Sequence, residues 1–180
     1  QLNWKNKVTL NYSGLNSQEI LAKDDWAPTN ILADFYWENV EDATHYYGNT
    51  EIDLEGNNCP SGPIYINSEA IDCPSGLEPL SINGTLDISN SDNTPATLSL
   101  NGTLYITGDT IIAPNHDLIL DLNGQTIFVE SSSVDPDKAL WIGGKCIIEG
   151  PGVIMAIGDI YFEPNGDAGD EGEPVFVFSA

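Results

Sequence analysis

The sequence has very little positive charge. It contains five lysines and no arginine against 28 aspartate and glutamate residues, and its formal net charge is −23. Proteins that bind nucleic acid use clustered cations to contact the phosphates, and anionic membrane surfaces attract the same kind of cluster. The composition therefore argues against nucleic acid and anionic membranes as partners, and it favours a surface that attracts cations.

Long hydrophobic runs are also missing. No stretch of 18 or more apolar residues occurs, so we predict no membrane insertion in this segment. There is no secretion signal, the chain opens at Gln1, and it ends in VFVFSA, inside a predicted strand. We interpret this as a processed start and expect a truncated C-terminal end.

The usual catalytic motifs are absent as well. The sequence has no Gly-x-Ser-x-Gly elbow, no phosphate-binding loop and no dinucleotide fingerprint. Its two histidines, His45 and His116, lie in unrelated contexts. Carboxylates are so numerous that a glycosidase-like pair is easy to imagine and has no specific support. The chain is therefore predicted not to be an enzyme.

Cysteine is scarce, and its three copies do not have the paired spacing of a zinc site. Cys59 and Cys73 lie in the similar contexts NCPSG and DCPSG, 14 residues apart. We predict a disulfide between them, worth roughly 3 kcal/mol through loop-closure entropy; two buried or free thiols are the alternative. Cys146, in the apolar run KCII, is predicted to be a core residue.

What the sequence does contain is a repeated phrase. SINGTL, SLNGTL and DLNGQT place Asn83, Asn101 and Asn123 at steps of 18 and 22 residues, and Gly143 follows 20 residues later. A meander of hairpins needs no fixed period, whereas a solenoid does, because each coil stacks on the last. We therefore predict an all-β, right-handed parallel β-helix with coils of about 20 residues. An antiparallel β-sandwich is the alternative.

The β-helix interpretation assigns positions to individual residues. Asn83, Asn101, Asn123 and Gly143 form a predicted turn ladder at one corner, with the asparagines able to adopt the left-handed conformation. The predicted inward-facing residues are apolar and follow the repeat: Leu86, Ile88, Leu104, Ile106, Ile127, Val129, Ile147 and Ile154.

The N-terminal part has a different pattern. From Pro28 to Tyr47 apolar residues recur at helical spacing, and Gly48 is a suitable terminator. We predict a capping helix over about 29–47, within an N-terminal segment 1–63 that precedes a β-helix over 64–180. Such a helix would cover the exposed strand edges at the first coil.

Two groups of residues are candidate binding sites. The segment EPNGDAGDEGE offers oxygen ligands on a glycine-rich loop, which suits Ca²⁺ although the spacing is not that of an EF-hand: Glu163, Asn165, Asp167, Asp170, Glu171 and Glu173. An acidic loop without metal is the alternative, and no other cofactor is predicted. Tyr105, Trp141 and Tyr161 would stack on sugars if their rings are exposed on one face, which gives the second functional hypothesis, a carbohydrate-binding or carbohydrate-active β-helix.

The phrases GTLYITGDTIIAPNHDLILDLNGQTIFV and GPGVIMAIGDIYFEP resemble the β-helical domains of bacterial pilus-associated PilX-type proteins. More distantly they are similar to polymer-forming bactofilins. The resemblance covers about residues 30–180, including the aromatic and acidic segment ADFYWENVEDATHYYG. It implies a non-catalytic, secreted or cell-surface module that acts in adhesion or assembly with pilus or surface components. The cysteine pair, the acidic loop and the negative charge depart from bactofilins and favour a surface-exposed module.

The C-terminal strand suggests a third hypothesis. An uncovered apolar strand such as PVFVFSA can pair with another chain. The chain would then be a self-assembling filament subunit that associates through its coil ends.

Overall fold

The computed structural model describes residues 43–131, 139–163, 167–168 and 174–179. The chain divides into two compact units, Gln1–Glu38 and Asn39–Ala180, and the first lies outside the described residues. Every regular element of the described ranges is a β-strand. In chain order the strands are β1 (Thr44–Tyr47), β2 (Thr50–Asp53), β3 (Asn58–Cys59), β4 (Pro63–Ile66), β5 (Glu69–Asp72), β6 (Leu80–Asn83), β7 (Leu86–Ser89), β8 (Ala96–Ser99), β9 (Leu104–Ile106), β10 (Thr110–Ile112), β11 (Leu118–Asp121), β12 (Thr126–Val129), β13 (Leu140–Ile142), β14 (Cys146–Glu149), β15 (Gly152–Ala156), β16 (Ile160–Phe162), β17 (Asp167–Ala168) and β18 (Val175–Ser179).

These strands form three sheets. The first sheet has the order β1-β6-β9-β12-β15-β18, the second β16-β13-β10-β7-β2-β4-β5, and the third β17-β14-β11-β8-β3. From β6 to β18 consecutive strands belong to the first, second and third sheets in turn, so every third strand returns to the same sheet. The predicted all-β fold with parallel sheets is therefore confirmed for the described residues.

Antiparallel pairing is confined to one insertion. The hairpin β4–β5 follows β3 and extends the second sheet, where β2–β4 and β4–β5 are the antiparallel pairs. All other neighbours in the three sheets run parallel, as in the pairing of β6 with β9 and of β8 with β11. The antiparallel sandwich is therefore wrong for the described part of the chain.

The inner faces of the three sheets pack into one hydrophobic core. Side chains alternate along each strand, so Leu86 and Ile88 of β7 are buried while Asp87 between them is exposed. In-register pairing then places buried aliphatic residues of adjacent strands beside one another, and Ile82, Ile106 and Val129 form one buried row across the first sheet. Burial of each such side chain contributes roughly 1.5–3 kcal/mol.

One predicted core residue faces outward. Seven of the eight predicted inward residues are buried, but Ile147 is 42% exposed. Its neighbours Cys146 and Ile148 are buried instead, so the predicted core position of Cys146 is confirmed. The run Cys-Ile-Ile is apolar throughout and does not show which residues face inward, and a shift of one residue exchanges the two faces of a strand.

The C-terminal end of the predicted helix is strand. Residues 44–47, assigned to a helix over about 29–47, form β1, which pairs in parallel with β6 from Thr44↔Leu80 onward. Pairing with a neighbouring strand outweighs the helical spacing of the sequence, because β-branched and aromatic residues suit a pleated surface. Residues 29–42 of the predicted helix lie outside the described residues. The predicted boundary between 63 and 64 falls inside the second compact unit.

Candidate functional site on the outer face of the second sheet

Five side chains form a straight row on the outer face of the second sheet. The row crosses β2, β7, β10, β13 and β16 in register, with each residue opposite the next: Glu51, Asp87, Ile111, Trp141 and Tyr161. The alternation of each strand turns these side chains away from the core, because the residues before and after them face inward. We call this set the outer row.

One end of the outer row is apolar and accessible. Ile111, Trp141 and Tyr161 are 38%, 37% and 37% exposed. The rings of Trp141 and Tyr161 meet edge to face, with centroids 6.2 Å apart and an interplanar angle of 80°. Such a pair is a favourable aromatic geometry, and it presents a ring face beside a ring edge rather than a flat platform. The three side chains can contact the apolar face of a ligand.

The other end of the outer row is acidic. Glu51 and Asp87 are exposed register partners on adjacent strands, which lie roughly 4.8 Å apart. Burial and then the charge of Glu51 raise the pKa of Asp87 above its ordinary value. The two carboxylates therefore repel each other, and a cation between them would be attracted to both.

A small cavity adjoins this acidic end. It has a volume of about 210 Å³ and lies between β2 and the β4–β5 hairpin, lined by Glu51, Asp53, Glu55, Tyr65 and Ser68. The side chain of Asn67 holds the hairpin turn against β2, since its Oδ1 accepts a hydrogen bond from the N–H of Glu51 at 2.9 Å. The N–H of Asn67 donates in return to the carbonyl of Glu51, also at 2.9 Å.

A hydrogen-bond network fixes one wall of the cavity. Asp53 accepts bonds from the Ser91 hydroxyl at 2.6 Å and from the main-chain N–H groups of Ser91 and Glu55 at 3.0 and 3.1 Å. Burial raises the pKa of Asp53, but these hydrogen bonds outweigh it and hold the pKa below its ordinary value. Asp53 therefore stays charged and positions the turn that follows β2.

The predicted disulfide is confirmed. Cys59 of β3 is bonded to Cys73, which follows β5, with Cα atoms 5.6 Å apart. Both residues are buried, and the bond closes the segment that contains the hairpin. Cys146 is a free, buried thiol, and burial raises its pKa to about 12. It is therefore a neutral thiol at physiological pH and unsuited to act as a nucleophile.

The three predicted stacking aromatics do not share one face. Trp141 and Tyr161 lie side by side in the outer row, whereas Tyr105 belongs to β9 of the first sheet. The Tyr105 ring packs against Phe128, with centroids 5.6 Å apart, and its hydroxyl donates a hydrogen bond to Glu130. Tyr105 is therefore not a candidate partner for a ligand bound at the outer row.

The predicted turn ladder is divided among three kinds of turn. Asn101 and Asn123 both follow strands of the third sheet, and the Asn123 amide donates to the carbonyl of Leu100 at 3.0 Å. Asn83 ends a strand of the first sheet, and Gly143 follows a strand of the second. Of the three asparagines only Asn123 has a positive φ, 47°.

The predicted calcium ligands lie mostly outside the described residues. Glu163 is described, and its carboxylate accepts the N–H of Gly144 at 3.0 Å. Asp167 is placed in β17 by its main chain. Asn165, Asp170, Glu171 and Glu173 lie outside the described ranges. No group of three or more potential metal-binding side chains occurs within the described ranges, and calcium binding stays a prediction.

Asn90 is a buried polar residue that the sequence does not single out. Asn90 follows β7, is fully buried, and its Oδ1 accepts the N–H of Gly56 at 3.0 Å. Its amide donates to the carbonyls of Thr94 and Asp117 at 2.8 and 3.3 Å. The only sequence signal is an asparagine directly after an alternating strand, LDISN, which equally describes an exposed turn.

The described strands and the outer row define a class of structure: in its described part the chain is all-β, and its parallel sheets carry an aromatic and acidic row on one outer face. No family model matches the chain, and neither a curated protein nor a solved structure matches it. Within the described ranges there is no helix long and apolar enough to cross a membrane.

Proposed function

We propose that the chain is a right-handed parallel β-helix and that it serves as a non-catalytic, extracellular structural module in cell-surface adhesion or assembly. The observation that carries the proposal is the cyclic strand order. From β6 to β18 the chain enters the first, second and third sheets in turn, with in-register parallel pairing at each return. A chain that winds around a single core produces this order.

The core and the connections support the winding and its hand. Buried residues of all three sheets belong to one hydrophobic cluster, as expected if each turn of the chain encloses the same interior. Crossover connections between parallel strands are almost always right-handed, which favours a right-handed coil. In such a stack each coil contacts only its neighbours, so the architecture extends without a new kind of contact.

The disulfide supports the extracellular part of the proposal. Disulfides persist in oxidising compartments and are rare in the cytosol, so the Cys59–Cys73 bond fits a secreted or surface protein. The resemblance to PilX-type domains, together with the features that depart from bactofilins, favours the same setting and suggests pilus or surface components as partners.

Cell-surface labelling tests this proposal. Intact cells of the producing organism would be treated with an antibody to the described unit, and the cysteines of the recovered protein mapped by alkylation and mass spectrometry. We expect labelling before lysis and an oxidised Cys59–Cys73 pair. Labelling only after lysis, together with reduced cysteines, would contradict an extracellular role.

A filament subunit is the second candidate, and β18 is the observation that favours it. Among the described strands β18 pairs only with β15, and no other described strand pairs with its second edge. Phe176, Val177 and Phe178 are all exposed. Val177 pairs with the buried Ile154 and so continues an inward-facing row, but is itself 40% exposed. Open apolar edges of this kind favour strand addition by another chain.

Sedimentation velocity over a concentration series, with Ca²⁺ and with chelator, tests self-association. Growth with concentration that Val177→Lys abolishes would support assembly through β18, with exposed Ile147→Lys on the third sheet as a matched control. Growth that requires Ca²⁺ would implicate the predicted ligands of 163–173. A sedimentation coefficient independent of concentration would contradict the filament hypothesis.

A further inference from the structure

We infer that the outer row of the second sheet binds a polysaccharide built from amino sugars with free amines, lying across the strands with its ammonium groups at the acidic end. This inference goes beyond the structural role proposed above and does not depend on it. It rests on three features of the row: its spacing, its accessible aromatic end and its paired carboxylates.

The spacing suits an extended glycan. Adjacent strands lie roughly 4.8 Å apart, so the five positions of the row from Glu51 to Tyr161 span about 19 Å. Each step is close to the length of one pyranose residue in an extended chain. A polysaccharide perpendicular to the strands therefore meets one side chain of the row with each sugar.

The apolar end can hold the sugar rings. The carbohydrate C–H faces are apolar, and exposed aromatic and aliphatic side chains bury them by the same effect that builds a core. Trp141 and Tyr161 meet edge to face at 6.2 Å, so a sugar on one ring is flanked by the other. Ile111 continues this apolar surface by one strand towards the carboxylates.

Charge decides between the classes of glycan. Glu51 and Asp87 are adjacent and mutually repulsive, and burial together with the Glu51 charge raises the pKa of Asp87. An ammonium between them would relieve that repulsion, whereas uronates and sulfated sugars would add to it. Lys145, the one lysine of the described ranges, bonds instead to the carbonyl of Asn115 in a turn outside the row.

The cavity beside Glu51 can hold the terminal sugar of the polysaccharide. Its volume of about 210 Å³ is comparable with a single sugar residue. Tyr65 and Ser68 bring hydroxyl groups to its lining, beside the carboxylates of Asp53 and Glu55. Hydroxyls and carboxylates of this kind can accept hydrogen bonds from sugar hydroxyls and ammonium groups.

Isothermal titration calorimetry with three hexasaccharides of equal length tests the inference. The probes are the glucosamine hexamer with free amines, its fully N-acetylated form and the neutral glucose hexamer, all at mildly acidic pH where the amines are protonated. We expect the free-amine hexamer to bind at least about tenfold more tightly than the other two. Glu51→Gln with Asp87→Asn should remove most of this preference.

Variants separate the row from general attraction to an acidic protein. Trp141→Ala should weaken the affinity for the free-amine hexamer by about tenfold. Tyr47 is an exposed aromatic residue of the first sheet, and Tyr47→Ala should leave this affinity unchanged. Trp141→Phe retains a ring and keeps the test usable if the alanine variant does not fold. The inference is overturned if no probe binds, if the neutral hexamer binds equally well, or if Trp141→Ala binds like the original protein. Where Trp141→Ala does not fold, it is overturned if Trp141→Phe, with its smaller ring, binds like the original protein.

Discussion

Asn90 is a buried side chain whose hydrogen bonds join three separate turns. Its buried side chain bonds to Gly56, Thr94 and Asp117, which belong to three successive turns between the second and third sheets. Replacing Asn90 by alanine leaves one donor and two acceptors in a buried place without these partners. We expect a loss of about 1–3 kcal/mol in the free energy of unfolding.

Urea denaturation of Asn90→Ala measures this loss. Asn93→Ala provides the matched control, because Asn93 lies in the same turn and is exposed. We expect the control to change the free energy of unfolding by less than about 0.5 kcal/mol. Equal effects of the two substitutions would show that Asn90 does not hold the turns together.

Two aspartates of the second sheet should have opposite effects on the pH dependence of stability. The pKa of Asp53 is lowered, so its charge stabilises the fold above the pKa of the unfolded chain, and this contribution is lost as the pH falls. The pKa of Asp87 is raised, so its charge is unfavourable at neutral pH and protonation stabilises the fold. Asp53→Asn should therefore destabilise the protein at neutral pH, and Asp87→Asn should stabilise it.

Denaturation of both variants at neutral and strongly acidic pH checks these signs. Each difference should be below about 1 kcal/mol, because both carboxylates are largely solvated and screened. The Asp87 difference should vanish below the ordinary carboxyl pKa, and the Asp53 difference only when the pH is also below its lowered pKa in the folded state, where the aspartates are protonated in both states. Differences of the same sign at neutral pH, or differences that persist in acid, would contradict the assignment.

Glycines hold the turns between the first and second sheets close together. A Cβ on Gly108 would lie 2.5 Å from the carbonyl oxygen of Gly84, and a Cβ on Gly84 would lie 2.1 Å from that of Gly48. Main-chain bonds run along the same stack, since the N–H of Gly108 donates to the carbonyl of Gly84 at 2.8 Å. Gly108→Ala should cost about 1–3 kcal/mol, because the neighbouring main chain must move.

Thermal unfolding of Gly108→Ala compared with Gly62→Ala tests this packing. A Cβ on Gly62 would make its nearest contact at 3.7 Å, which is ordinary van der Waals contact. We expect a lower melting temperature for Gly108→Ala and no decrease in melting temperature for Gly62→Ala. Alanine gives the unfolded chain fewer conformations than glycine does, which by itself favours the folded state. An unchanged melting temperature for Gly108→Ala would mean that the stacked turns separate at little cost.

The inserted hairpin is the element that depends most on the disulfide. β4 and β5 interrupt the cyclic order, and the Cys59–Cys73 bond closes the segment that contains them. Cys59→Ser with Cys73→Ser should cost about 2–4 kcal/mol in unfolding free energy. Hydrogen exchange should accelerate in β4 and β5 and remain slow in β12, whose strand is buried throughout.

The parent and the Cys59→Ser, Cys73→Ser variant are both compared in a Cys146→Ala background, so that the buried free thiol cannot exchange with the disulfide. Chemical reduction of the parent should reproduce the effect of the double substitution. Uniform acceleration of exchange across all three sheets would instead mean that the bond stabilises the whole unit.

At the level of elements, the sequence predicts where strands lie in the chain better than it predicts which strands pair with each other. Alternating apolar residues and Asn-Gly pairs identify most of the strands, because a half-buried strand has a period of two. They do not show which turns lie together: the repeated Asn-Gly pairs predict one corner for Asn83 and Asn101, although these residues end or follow strands of different sheets. Each sheet depends on turns of unequal length, and the pairing is decided by packing between distant segments.

The candidate site illustrates the same limit. Trp141 and Tyr161 could be named as exposed aromatics, but their alignment with Glu51 and Asp87 depends on the register of strands up to 110 residues apart (Glu51 to Tyr161). Tyr105 has the same local pattern and faces outward from another sheet. Composition suggests which side chains could contact a sugar, whereas only the sheet order brings them into one row.

The molecule as a whole carries a charge that opposes its compact fold. The net charge is −23, and the fold holds acidic side chains such as the register partners Glu51 and Asp87 closer together than the unfolded chain does. Their mutual repulsion is screened by salt, with a Debye length of about 10 Å at 0.1 M and about 3 Å at 1 M. We therefore predict that the free energy of unfolding rises with sodium chloride concentration over this range.

Urea titrations at increasing sodium chloride, with sucrose as an uncharged stabilising control, measure this effect. Sucrose favours burial without screening charge, so its effect should be similar on the parent and on a variant with exposed acidic residues neutralised. The gain from salt should shrink in that variant, for example Glu51→Gln with Asp87→Asn, because less repulsion remains to be screened. If the free energy of unfolding does not depend on salt, solvent already screens the acidic residues from one another in the folded state. The repulsion assigned to Glu51 and Asp87 would then be negligible.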